Sequence, residues 1–171
     1  MAQHMATHQS QVHWWCPQLP PSPRAAAALL MQGTKDWPHD TMAVMGSSLG
    51  GFYATWVAEQ CGCKAVLLNP AVYPARDLAQ YIGEQTCWQD PQEHFFFEPG
   101  FVDELRALTC AAITRPERYL ALIAKGDELL DWRESSARYA GAQIHLLEGG
   151  DHAISDFEQH LPCVLAFLGL D

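Results

Sequence analysis

Basic residues are scarce in this sequence. Its 171 residues hold 10 Lys and Arg against 20 Asp and Glu, for a formal net charge of −10. A surface so short of positive charge cannot displace counterions from nucleic acid or grip an anionic membrane, and neither is expected as a partner. Long apolar runs are lacking as well, since none reaches the ~18 residues that a membrane span needs. The opening stretch, Met1 to His8, has neither a basic n-region nor an apolar h-region, so no secretory signal is expected. The six cysteines include no CxxC pair, and Cys61-Gly62-Cys63 is the one close spacing. Reduced thiols in a cytoplasmic protein are the expectation, with Cys61 and Cys63 as small semi-buried residues at a helix end. No pair of histidines at i, i+4 helical spacing comes with the acid that zinc would want, which predicts no metal site and no cofactor.

Apolar residues, in contrast, are plentiful. At 49% hydrophobic, the chain can bury a real core, and its length fits one domain over 1–171. The first dozen residues read as helix, followed by a β-rich run, Val12 to Cys16, that stops at Pro17. Ser22 and Pro23 suit the cap and first position of a helix over Arg24 to Gln32 that closes at Gly33. Short apolar runs at Thr41–Gly46, Lys64–Asn69, Tyr119–Ala124 and Gln143–Leu147 read as buried strands. Helices over about Leu49–Cys61, Trp132–Tyr139 and Asp156–Leu168 alternate with them, the last interrupted by Pro162. Residues 71–116 read as an excursion from the sheet with short helical segments. This alternation predicts an α/β fold: a mostly parallel sheet, helices on both faces and a small cap over 71–116.

Gly46-Ser47-Ser48-Leu49-Gly50-Gly51 carries the clearest chemistry. It matches G-x-S-x-G with Ser48 at the nucleophile position, after an apolar strand and at the start of a helix. A serine held on so sharp a turn needs small residues two before and two after it, which Gly46 and Gly50 supply. Gly51 and Ala54 let the helix lie close to the sheet. The Leu49 backbone N–H, at the positive end of the helix dipole, is placed to stabilise an oxyanion. A phosphate loop does not fit, because no lysine follows the glycines and G-x-G-x-x-G is not matched.

A serine hydroxyl needs a base, and the base needs an orienting acid. Asp127 follows the strand 119–124 and His152 follows the strand 143–147, each in a loop at a strand's carboxyl end. Asp131 competes for the acid role but better suits the cap of the helix near Trp132. Asp151 is expected to shape its own loop. The remaining histidines precede the serine or lie in a strand, a helix or the excursion, and read as ordinary surface or packing residues.

The combined motifs resemble those of the YqiA/YcfP-type bacterial esterases, a branch of the α/β-hydrolases. They are Pro17 to Pro23, Gly46 to Thr55, Asn69 to Val72, Gly126 to Trp132, and Glu148 to His152. The resemblance implies hydrolysis of small acyl esters, with acyl thioesters as an alternative, through Ser48, His152 and Asp127. It implies no cofactor and no oligomeric state. One departure stands at the front. The family begins with a strand and a Leu-His-Gly-Phe loop, and nothing here corresponds to them. The expectation is therefore a chain shortened at its N-terminus. Its oxyanion hole would lack a second donor, worth about 10²–10³ in rate, and a gap would separate the strand at 12–16 from the elbow strand. Acyl transfer by the same triad and an inactive hydrolase-like fragment are the competing readings. Phe95, Phe96, Phe97 and Trp88 are candidate acyl-chain contacts, with ordinary packing as the plainer alternative.

Overall fold

The computed structural model describes residues 12–86, 92 and 94–170. Helix α1 (Pro23–Thr34) starts as the sequence predicts. The Ser22 side chain accepts the Ala25 N–H, and Pro23 occupies a position whose N–H has no helical partner. Chain order then runs β1 (Ala43–Ser47), α2 (Leu49–Cys61), β2 (Lys64–Leu68), α3 (Pro74–Asp77), β3 (Gly83–Thr86), β4 (His94–Phe97) and α4 (Pro99–Leu108). It continues with β5 (Tyr119–Ala124), α5 (Trp132–Arg138), β6 (Gln143–Leu147) and α6 (Phe157–Leu168). The four main strands form one parallel sheet in the order β1-β2-β5-β6.

The period-2 alternation of strands β2 and β5 divides the core into two layers. Ala65, Leu67, Tyr119, Ala121 and Ile123 face one way and pack with Ala54, Val57 and Ala58 of α2 and with Tyr139 just past α5. Val66, Leu68, Leu120 and Leu122 face the other way and meet Val164, Phe157 and Phe167 of α6. Helices therefore cover both faces, and all four carboxyl ends of the strands lie along one edge. That edge is where α/β sheets carry their sites.

Three expectations need correction. Residues 12–16 form no strand. Among the described residues no strand pairs with the outer edge of β1, so the run has no ladder to join and packs through its rings instead. His13 stacks edge-on against Trp37 at 5.0 Å, and Trp15 meets the same ring at 6.3 Å. Helix α6 is not interrupted: it runs through Pro162 over Phe157–Leu168. The excursion holds more than short helices, since β3 and β4 pair as an antiparallel hairpin, with Gly83 opposite Phe97 and Thr86 opposite His94. The expected N-terminal helix falls on residues 1–12, nearly all of which lie outside the described residues.

The excursion docks through α4, whose Val102 and Leu105 pack with Ala26, Phe52, Tyr53, Ala71 and Phe97. One polar tie joins it to α1. Glu104 accepts from the Ser22 hydroxyl at 2.7 Å and from the Arg24 N–H at 3.0 Å, extending the α1 cap from another part of the chain. The Arg24 N–H leads in holding the Glu104 carboxyl below its ordinary range, against an opposing effect of burial.

Candidate active site

Ser48 stands between β1 and α2 with φ 53° and ψ −122°, a conformation that side-chain-bearing residues rarely adopt. Neighbouring backbone over-determines it. The Ser48 N–H donates to Leu68 O at 2.9 Å, while Ser48 O accepts from Gly51 N at 2.9 Å and Ala71 N at 3.0 Å. The glycines divide in a way the motif alone does not reveal. A Cβ at Gly46 would run into the Gly50 carbonyl, and one at Gly51 into Pro70, but one at Gly50 would meet nothing within 4 Å. Gly46 and Gly51 are thus the sterically required pair, and the expectation that Gly50 is needed for space is corrected. The Leu49 N–H, in the first turn of α2, has no acceptor among the described residues.

Asp127 and His152 meet directly. His152 Nδ1 lies 2.9 Å from Asp127 Oδ2 and 3.0 Å from Oδ1, with the acid side chain 2% exposed and the imidazole 16%. Asp127 Oδ1 also accepts the N–H groups of Leu129 at 2.8 Å and Leu130 at 3.0 Å, which fixes the carboxylate plane. The acid and base loops touch where only glycine fits. A Cβ at Gly126 would clash with the Gly150 carbonyl, and the Gly126 N–H donates to Gly149 O at 3.0 Å. With Nδ1 held by Asp127, the Nε2 edge of the ring faces away from the acid. No hydrogen bond joins Ser48 to His152 among the described residues.

Asp131 instead caps α5, accepting the Arg133 N–H at 2.9 Å. Asp151 shapes its own loop by accepting the Ser155 N–H at 2.9 Å, and hydrogen bonds from Ser155 hold its carboxyl below the usual range. Cys63 is buried beyond the left-handed Gly62 that ends α2, and burial pushes its thiol up to about 11. Among the described residues no group of three His, Cys, Asp or Glu is arranged to hold a metal.

Two residues of the site carried no sequence-based role. Glu128 accepts the His152 N–H at 3.0 Å. Asn69, 2% exposed, sends its amide to the carbonyls of Asp151 and His152, each at 3.0 Å. The signal for Asn69 was an amide directly after an apolar strand and before Pro70, which reads locally as no more than a strand stop.

Of the aromatic candidates, Phe95 and Phe97 share one face of the hairpin and Phe96 the other, where it is 59% exposed. Phe97 is buried against Phe101, with ring centroids 5.5 Å apart. Phe95 joins the partly buried apolar residues of the same cluster, with Leu19 before α1, Leu49 of the elbow and Leu130 of the acid loop. Trp88 lies outside the described residues.

Solved structures share this architecture. Alpha/beta hydrolase domain-containing protein 10 from mouse superposes with a TM-score of 0.63 at 16% identity, covering 86% of this chain and 69% of that one. A monoacylglycerol lipase from Paleococcus ferrophilus gives 0.58 at 16% identity, over 88% and 76%. The fold is that of the α/β-hydrolases. In sequence, a UPF0227 protein from Yersinia pseudotuberculosis is 27% identical over 129 residues, which are 72% of this chain and 63% of that protein. The matched part thus spans under two thirds of that relative's length. With a family pattern matching residues 1–169, the chain belongs to UPF0227, described as an uncharacterised protein family.

Proposed function

We propose that this chain is a serine hydrolase that cleaves small acyl esters, with Ser48 as nucleophile, His152 as base and Asp127 as its orienting acid. The observation that carries the reading is the Asp127–His152 pair, with the acid side chain buried and the base on a loop tied to the strand end that also locks the Ser48 backbone. Ser48 Oγ attacks the ester carbonyl as His152 Nε2 takes the hydroxyl proton. The carbonyl oxygen becomes an oxyanion facing the Leu49 N–H, whose lack of a protein acceptor leaves it available. Collapse of this intermediate passes the proton from His152 to the leaving alcohol and leaves an acyl-serine. A water molecule, deprotonated by the same nitrogen, then attacks the acyl carbon, and as the bond to Ser48 Oγ breaks His152 returns the proton to Oγ and the carboxylic acid leaves. Asp127 stays ionised throughout and stabilises the imidazolium that forms twice. In this reading the 71–116 segment is the cap, and Phe95 with Leu49 and Leu130 offers apolar contact to a short acyl chain. The free thiols support a cytoplasmic setting.

One observation favours a second reading, a hydrolase scaffold without turnover: Ser48 and His152 share no hydrogen bond. Catalytic contacts that tighten only around bound substrate are common, so the first reading stands. Turnover of p-nitrophenyl butyrate and labelling by a fluorophosphonate decide between them. The wild type is expected to label at Ser48 and to turn over, and Ser48→Ala to lose about 10⁴-fold or more in kcat. Equal rates for the two proteins would remove the triad, and a wild type that does not label would establish the scaffold.

A further inference from the structure

Asn69 does more than end a strand. Its amide is buried and engaged on both sides: Oδ1 accepts the Ala124 N–H at 2.8 Å, and Nδ2 donates to the Asp151 and His152 carbonyls. Its own N–H donates to Leu122 O at 3.0 Å. It therefore grips the end of β5, two residues before Gly126-Asp127, and the base loop at His152 itself. The flanking residues, Leu68 and Ala71, hold the Ser48 backbone. The segments that carry the three members of the proposed triad are thus tied to Asn69 or to residues within two positions of it. The backbone at Asn69 has φ 39°, a left-handed value that asparagine and aspartate tolerate better than other side-chain-bearing residues.

The base loop needs such a grip. It begins with Gly149 and Gly150, at φ 94° and 78°, the residue type with the most backbone freedom to lose. The Asp127 contact fixes the His152 ring, and the Glu128 carboxylate reaches only the backbone N–H of His152 at a more exposed contact. A buried amide that donates to two successive carbonyls holds the peptide carrying the imidazole.

We propose that Asn69 is a positioning residue for the catalytic base, its side-chain amide fixing the His152 backbone so that the ring stays on Asp127 with Nε2 turned to Ser48. The proposal rests on the reading of His152 as the base.

Asn69→Asp is the discriminating variant. It keeps volume, the tolerance of a left-handed backbone and the acceptor for the Ala124 N–H, but replaces the two donors with an oxygen facing two carbonyls. On p-nitrophenyl butyrate its kcat, normalised by fluorophosphonate titration of active sites, is expected to fall about 100-fold, the size of effect an ångström of misplacement produces. KM should stay within about threefold, because Asn69 is not placed against substrate. The ratio of variant to wild-type kcat should rise as pH falls, since the introduced carboxyl regains one donor when protonated. In proton NMR, the downfield Nδ1–H resonance of His152 should be present in the wild type and broadened away in the variant. A normalised kcat within threefold of wild type, or a ratio flat with pH, would overturn the proposal. If the variant does not fold, the wild type is read instead: slow solvent exchange of the Asn69 side-chain amide protons is expected, and fast exchange overturns the clamp. Failure of the wild type to turn over strikes the hydrolase reading alone, because the NMR measurements report the clamp without turnover.

Discussion

The carboxyl ends of the strands and the excursion over 71–116 are held by different forces. At the strand ends, directional polar contacts fix individual atoms: Asp127 on His152 and two backbone N–H groups, Asn69 on three backbone groups, Gly126 against Gly150. The excursion is held mainly by apolar side chains of α4 and the hairpin, with exposed or partly exposed ties such as Glu104 to α1 and Arg76 to Glu134. Directional bonds specify a geometry, whereas apolar packing specifies a volume and tolerates rearrangement within it. Under the proposed function, reaction geometry is assigned to the strand ends and selectivity to the excursion.

The largest test of that contrast is at the elbow. Gly46→Ala places a methyl against the Gly50 carbonyl in a segment that cannot yield, and is expected to cost about 3 kcal/mol in thermal or urea unfolding. Gly50→Ala has open space and should leave stability unchanged or slightly raised. Similar losses at the two positions would show the elbow to be as pliable as the excursion. In the excursion, Phe95→Ala should shift the relative kcat/KM of butyrate and octanoate esters by about tenfold while the protein stays folded, whereas Phe96→Ala, on the solvent face, should shift nothing. A preference unmoved by either would take the hairpin out of selectivity.

The smallest effect concerns the tie of the excursion to α1. Glu104→Gln should cost about 1 kcal/mol, an amount comparable to a lost helix cap. Its pH dependence has a definite sign. The folded-state carboxyl is held below its unfolded value, so its contribution is present above the ordinary glutamate range and is lost as pH falls through the lowered value. Wild type and variant should therefore converge in melting temperature under acid. A constant gap down to the acid limit would show that the charge is irrelevant to the tie.

The sheet was legible because its signals are local. Helix α2 and strands β5 and β6 begin and end where apolar runs and their flanking residues predict. Strand β1 starts later than its apolar run, at Ala43, because the N–H groups of Thr41 and Met42 are turned back onto the Pro38 carbonyl. Residues 12–16 carry β-rich chemistry but lack a described partner strand, and β propensity without a neighbour does not make a strand. The hairpin errs in the opposite direction. Gly83-Glu84-Gln85-Thr86 has little strand signal of its own and is extended by pairing with the phenylalanines of β4. Of the candidate site, Ser48, Asp127 and His152 could be named from motif and chain order, and the Asp127–His152 contact agrees with that order. Asn69 could not, since its partners lie more than 50 residues away and meet it only after the sheet has formed.

Strands β2 and β5 are buried on both faces, with apolar side chains in either direction. A one-residue slip between them would exchange one set of mostly apolar side chains for another, with the Tyr119 hydroxyl on Glu59 the exception, so the hydrophobic pattern alone penalises it weakly. The contacts that do forbid the slip lie at the strand ends, where Asn69 meets both Leu122 O and Ala124 N–H. Alignment of the sheet and assembly of the site are thus set by the same few atoms, and a substitution that disturbs the chemistry there also removes the mark by which the two central strands find their alignment.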